Sequence, residues 1–258
     1  MKILFIGEIV ARPGREIVRQ ILPEILKEND IDAVFANAEN LSGGKGIAKH
    51  NVEEMHKVGI DYFTGGDHTF DIKDTLDYID ELPVLRPANL PEGTPGEGYA
   101  VIDTVSKGKV LLVNLMGNLM GNTPAYLENP FLYMDDLLKK FDKKDFKAII
   151  LDFHAEATSE KYSLGHYLDG RVTAMVGTNT HVPTCDNMVL PKGTLYVSDL
   201  GMCGAIDSSL GVDVDITIKM FTTGMKQRFE WENTGRKAFR SVLLDTEAKT
   251  IIRIDKLI

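Results

Sequence analysis

Residues 147–159, KAIILDFHAEATS, set the reading of this chain. A short apolar run, closed by polar residues that begin a helical pattern, reads as a buried strand. It ends on His154, an awkward guest in a core but an ordinary metal ligand. Four other apolar runs end in the same manner. KILFIG is followed by Glu8, AVFANA by Glu39 and Asn40, YFTGG by Asp67 and His68, and AMVGTNT by His181, with Asn179 two residues earlier. In open α/β sheets ligands bind beyond the carboxyl ends of such strands, so groups far apart in the chain can meet in one crevice. Three carboxylates gathered there repel one another unless cations neutralise them. The expectation is a metal site holding two divalent ions.

Working outward, strand and helix patterns alternate. Lys2–Ile6 is expected as the first strand, and a helix follows over 14–29, GREIVRQILPEILKEN. There Ile17, Val18, Ile21, Leu22, Ile25 and Leu26 recur at helical spacing, with Pro23 as an expected kink. Residues 33–36 read as a strand, 51–58 as a helix capped by Asn51, and 62–64 as a third strand. The proline- and glycine-rich stretch 85–103 reads as an ordered loop or lid leading into a strand. KVLLVNLMG and AMVGT are further strands, and LYMDDLLKKF and SEKYSLGHYLDG are helices. In the tail, KQRFEWEN, FRSVLLDTE and TIIRIDKLI suggest antiparallel pairing. The sum is an α/β protein with two mixed sheets face to face and helices outside, one domain over residues 1–258.

With 258 residues, 43% of them hydrophobic, the chain can bury a sizeable core. Its net charge is −9 with dispersed basic residues, which argues against a sequence-independent grip on duplex nucleic acid. Cys185 and Cys203 are too few and too far apart for a disulfide scaffold or a CxxC zinc site, so both are expected as unpaired thiols in a reducing compartment. MKILFIGEIV lacks the features of a signal peptide, and no run approaches the roughly 20 apolar residues of a membrane span. A cytoplasmic protein without a membrane partner is expected.

Several longer blocks point further: GEIVARPGR, NAENLSGGKGI, GGDHTFD, LRPAN, DFHAEATSEK, YLDGRV, VGTNTHVPT and LPKGTLYVSDLGM. In this order, from the first strand to about Met202, the chain resembles the calcineurin-like metallophosphoesterases, and within them the YmdB-type branch implicated in cleaving 2′,3′-cyclic nucleotides. The resemblance implies a four-layer α/β/β/α sandwich and a homo-oligomer. It also implies hydrolysis of small phosphodiesters by a hydroxide bridging two metal ions. Glu8 would then serve the first metal and Glu39 both; Asp67, His154 and Asn179 would serve the second, and His181 the first. Asn40 would lie against the first metal or the substrate, and His68 would face the leaving-group oxygen. Three ligand positions depart from the family pattern: Glu8 stands for its usual Asp, Asp67 for Asn, and Asn179 for His.

Each residue also has a plainer reading. Glu39 could bridge two cations about 3.5–4 Å apart, or serve only turn chemistry at a strand end. Glu8 is a ligand whose extra methylene shifts the carboxylate, or an exposed loop acid. With Asp67 and Asn179 the donor set turns oxygen-rich, favouring Mn²⁺, with iron, Mg²⁺ or Zn²⁺ as the other candidates. More negative charge at the centre also predicts a less acidic bound water and slower turnover. His68, oriented by the 69–71 run, could protonate a leaving oxygen, worth about 10²–10⁴-fold, or be merely hydrogen-bonded. The 43–46 glycine stretch could face a phosphate or form a tight turn. Asn114, Asn118 and Asn122 could line a pocket or make turns, and Trp231 reads as core or interface. The leading expectation is a phosphodiesterase. Its rival is a non-catalytic metal- or nucleotide-binding regulator of the same fold, and a nuclease acting on RNA ranks below both.

Overall fold

Lys2–Ile6, KILFI, buries every residue but its first, as a central strand must. In the computed structural model, which describes residues 1–104, 107–121 and 126–258, it lies between Ala33–Asn37, parallel, and Ser241–Asp245, antiparallel. Tyr62–Thr64 and Val84–Leu85 extend the sheet in parallel, and Thr250–Arg253 closes the other edge. A second six-stranded sheet runs in the order Met188–Val189, Leu195–Val197, Ala174–Thr178, Ala148–His154, Lys109–Met116, Tyr99–Asp103. Its inner pairings are parallel and its edge pairings antiparallel. Both sheets are mixed, as expected.

Successive strand residues point to opposite faces, and this alternation builds the layers. Ile3, Phe5 and Phe35 meet Leu112, Ile150, Val176 and Val197 in an apolar seam between the sheets. Leu4, Ile6 and Val34 point the other way, against Ile17, Val18, Ile21 and Leu22 of helix Ala11–Glu28 and Met55 of helix Lys49–Val58. Leu111, Leu151 and Met175 likewise meet Leu137 of Pro130–Lys139 and Leu164 of Thr158–Leu168. The result is helix, sheet, sheet, helix. No helix among the described residues is long and apolar enough to cross a membrane.

Some local expectations change. Helix Lys49–Val58 starts two residues early, and Asn51 does not cap it; its amide donates to Ser42 Oγ at 2.8 Å, and that oxygen also accepts the Ala48 N–H. Residues 226–233 form no strand, since Lys226, Arg228, Glu230 and Glu232 keep the segment in solvent; only Trp231 bridges to Val212. Helix Val214–Thr223, unread in the sequence, precedes it. A further four-stranded sheet joins Lys256–Leu257, Lys237–Phe239, Met202–Ala205 and Glu8–Ile9. Met202 pairs with Glu8 there, so this small sheet fixes the first candidate ligand. Where the chain crosses beside it only glycine fits, because a Cβ on Gly7 would lie 1.9 Å from Gly201 O.

Candidate metal centre

The strand ends do converge. One donor atom each from Glu8, Glu39 and His154 lies within 4.8 Å of the others, and the same holds for Glu39, Asp67 and His68. The two groups share Glu39. His154 Nε2 is 3.1 Å from Glu39 Oε2 and 3.1 Å from Asp67 Oδ1. His181 Nε2 lies 2.5 Å from Glu8 Oε2, and the Asn40 amide reaches Glu8, Glu39 and His181 at 3.2, 2.8 and 3.2 Å. Glu8, Glu39, Asn40 and His154 are all buried. The turn carrying Glu39 is set by Asn37, whose Oδ1 accepts the Glu39 N–H at 3.1 Å.

Asn179 arrives differently. Its backbone N–H donates to Glu8 Oε1, while its side-chain amide donates to Glu156 Oε2 at 2.6 Å. Both Asn179 (φ 105°) and His181 (φ 63°) occupy the left-handed region that non-glycine residues avoid, which marks a strained turn held by its surroundings. His68 Nδ1 sits 2.9 Å from Asp71 Oδ2, the orienting contact expected from the 69–71 run.

The supports were not legible in the sequence. Thr178 Oγ1 lies 3.0 Å from His154 Nδ1 and donates to Asp152 Oδ1 at 2.9 Å. Asp152, fully buried, also accepts from Thr64 at 2.5 Å and Asn37 at 3.1 Å. Lys161, equally buried, pairs with Asp199 at 2.7 Å and donates to Thr178 O at 2.8 Å. Asp199 in turn accepts the Thr180 and Gly201 N–H groups. The loop bearing Asn179 and His181 is thus anchored on both sides. The one available signal was polar residues inside otherwise apolar strands, as in LDFH.

Electrostatics follow from this packing. Burial would push the Glu8 carboxyl up, but the His181 imidazolium beside it, aided by His154, outweighs burial and holds it at about 2. Burial disfavours charge on His181, yet Glu8 raises it to about 9. His154 is raised well above its ordinary value, burial being overcome by Glu39 and Asp67. Asp67 is lowered, burial being overcome chiefly by His154. Burial pushes Asp152 up to about 6 against its hydrogen bonds. The protons on the His154 and His181 imidazoles therefore offset part of the charge of the carboxylates around them.

That chemistry fits divalent cations, which would take the place of those protons. A cradle is also present: a Cβ on Gly66 would fall 2.1 Å from Glu39 Oε2 and 2.5 Å from His154 Nε2, so the absence of a side chain keeps the donors open to a small ion. Other expectations resolve as structure. In the 43–46 stretch the Lys45 and Gly46 N–H groups close a turn on Ser42 O and Glu39 O, and Trp231 lies where a Gly44 side chain would stand. Asn114 is buried, accepting the Gly65 N–H; Asn118 lies in a loop against Glu160, and Asn122 falls outside the described residues. Neither Cys185 nor Cys203 forms a disulfide.

A family model described as YmdB-like protein matches residues 4–257. The chain is 40% identical over 261 residues to the 2′,3′-cyclic-nucleotide 2′-phosphodiesterase of Bacillus subtilis, covering all of this chain and 97% of that protein. A crystal structure of a hypothetical protein from Thermus thermophilus matches with a TM-score of 0.90 at 37% identity, over 100% of this chain and 99% of that one. A Mycoplasma pneumoniae structure described as a novel phosphatase matches at 0.88 and 32% identity, over 100% and 92%. With buried acids and imidazoles meeting at the ends of parallel strands and a match running nearly end to end, the chain belongs to the YmdB-like family.

Proposed function

We propose that this protein is a metal-dependent phosphodiesterase that hydrolyses small phosphodiesters, nucleoside 2′,3′-cyclic phosphates foremost, at a centre for two divalent ions. The observation that carries this reading is the pair of donor groups sharing Glu39, a carboxylate that would serve both ions. Glu8, His181 and Asn40 would hold one ion, and Asp67 and His154 the other, with Asn179 contributing to the second once its amide turns from Glu156. Bound there, two ions would lower the pKa of an attacking water and offset charge on the phosphoryl oxygens. The chain's own groups do the rest. Asp71 fixes His68 through Nδ1, leaving Nε2 to give a proton to the departing ribose oxygen. Water's oxygen joins phosphorus and its proton passes to solvent. One of the two P–O ester bonds breaks, and the freed ribose oxygen takes the His68 proton as a hydroxyl while the phosphate stays on the ribose through the other ester.

The oxygen-rich donors support Mn²⁺ over zinc. The net charge of −9 supports a small substrate over RNA. A cytoplasmic, self-associating enzyme completes the proposal. The test is hydrolysis of bis-p-nitrophenyl phosphate with added Mn²⁺ by the wild type and His68→Ala. Turnover in the wild type, reduced about 10²–10⁴-fold in the variant, supports the reading. Mn²⁺ and nucleotide binding with no turnover would support a regulator instead.

A further inference from the structure

A cavity of about 430 Å³ opens beside the centre and shares Gly66, Asp67 and His68 with it. It therefore lies on the side from which His68 would deliver its proton. Its lining also includes two aromatic side chains, Phe70 and Tyr126, and the apolar Leu90 and Met116. Among the described residues, neither ring belongs to an apolar core cluster, and Tyr126 is 66% exposed. Lys45 lines the same cavity, and among the described residues its ammonium has no ion pair or hydrogen bond.

The substrate's connectivity decides what should occupy this space. In a nucleoside 2′,3′-cyclic phosphate both ester oxygens belong to one ribose, so the departing oxygen stays attached to the whole nucleoside. Wherever the proton donor stands, the sugar and base must stand too. On the His68 side that place is this cavity, whose rings can stack on a heterocycle whatever its hydrogen-bonding edge. A free ammonium at the same cavity complements the phosphate.

We propose that Phe70 and Tyr126 determine specificity by receiving the base of the cyclic nucleotide between them, while Lys45 draws in its phosphate. This rests on the phosphodiesterase reading above. The experiment compares 2′,3′-cyclic AMP with glycerol 1,2-cyclic phosphate, the same five-membered cyclic ester without a base. Both are assayed with Mn²⁺-loaded wild type, Phe70→Ala, Tyr126→Ala and Lys45→Ala, and binding of the product-like 3′-AMP is measured by calorimetry. The wild type should prefer the nucleotide. Each aromatic variant should lose about 5- to 100-fold in kcat/KM for it, mainly through KM, and change by less than about twofold on the glycerol ester. Lys45→Ala should weaken both substrates alike.

Equal losses on both esters in the aromatic variants, or no loss on the nucleotide, would overturn the assignment. So would a wild type that is indifferent to the base. If the wild type turns over neither ester, the phosphodiesterase reading fails and the calorimetry decides the cavity. Binding of 3′-AMP that weakens in Phe70→Ala upholds the base site, and absent or unchanged binding rejects it.

Discussion

The hydroxyl of Thr178 stands 3.0 Å from His154 Nδ1. Its single proton goes to Asp152, so the oxygen accepts the N–H at Nδ1, and Nε2, whose proton faces Glu39 and Asp67, is the nitrogen a metal ion would take in that proton's place. Partners of this kind orient a metal-binding imidazole, and losing one costs about 10–100-fold in affinity. Thr178→Val should therefore weaken Mn²⁺ binding by that factor in calorimetry, and Thr178→Ser should restore it. Unchanged affinity in the valine variant would remove this role.

Glu39 is the one group common to both donor sets. Replacing it with Gln keeps the shape but removes the charge and one acceptor oxygen. Glu39→Gln should lower bound metal from two ions per chain to at most one, measured by elemental analysis, and reduce phosphodiester hydrolysis by about a hundredfold or more.

Lys161 and Asp199 form a fully buried pair behind the 178–181 turn. Breaking such a pair leaves an uncompensated charge and costs about 3–5 kcal/mol. Lys161→Met should lose stability of that order in denaturant unfolding. The double variant with Asp199→Asn should recover part of the loss, because no lone carboxylate remains.

Stability without metal should depend on pH in a defined direction. His181 is raised from an ordinary 6.5 to about 9, and His154 is raised as well. The His181 contribution is full below about pH 6.5 and is lost as pH climbs through about 9, and that of His154 is likewise present below 6.5 and lost above its raised pKa. Glu8, lowered from 4.5 to about 2, contributes above 4.5 and loses its contribution as pH falls toward 2. In chelator, the melting temperature should fall between pH 6.5 and 9, and Mn²⁺ should flatten that fall by replacing the protons. A melting temperature rising with pH in chelator would contradict the charge assignment.

The two thiols should separate cleanly. Cys185 is exposed, whereas burial pushes the Cys203 thiol up to about 12. A disulfide reagent should titrate one thiol per native chain and two after denaturation.

The sequence by itself determined the central strands of the two large sheets, though not the edge strands Val84–Leu85 and Met188–Val189 or the strand Leu195–Val197, together with the helices that cover them and the meeting of Glu8, Glu39, Asp67, His68, His154 and His181. Apolar periodicity is local, and the carboxyl ends of parallel strands in each of the two stacked sheets lie along one edge. Tertiary structure alone decided what holds these groups in place. Asn37 meets Asp152 across 115 residues, and Lys161 meets Asp199 across 38. It also decided that the side chain of Asn179 turns to Glu156 and that residues 226–233 form no strand, pairing only through the Trp231 bridge to Val212. A polar residue within a strand announces that it needs a partner, but which partner depends on the register between sheets, a long-range property that no local pattern encodes.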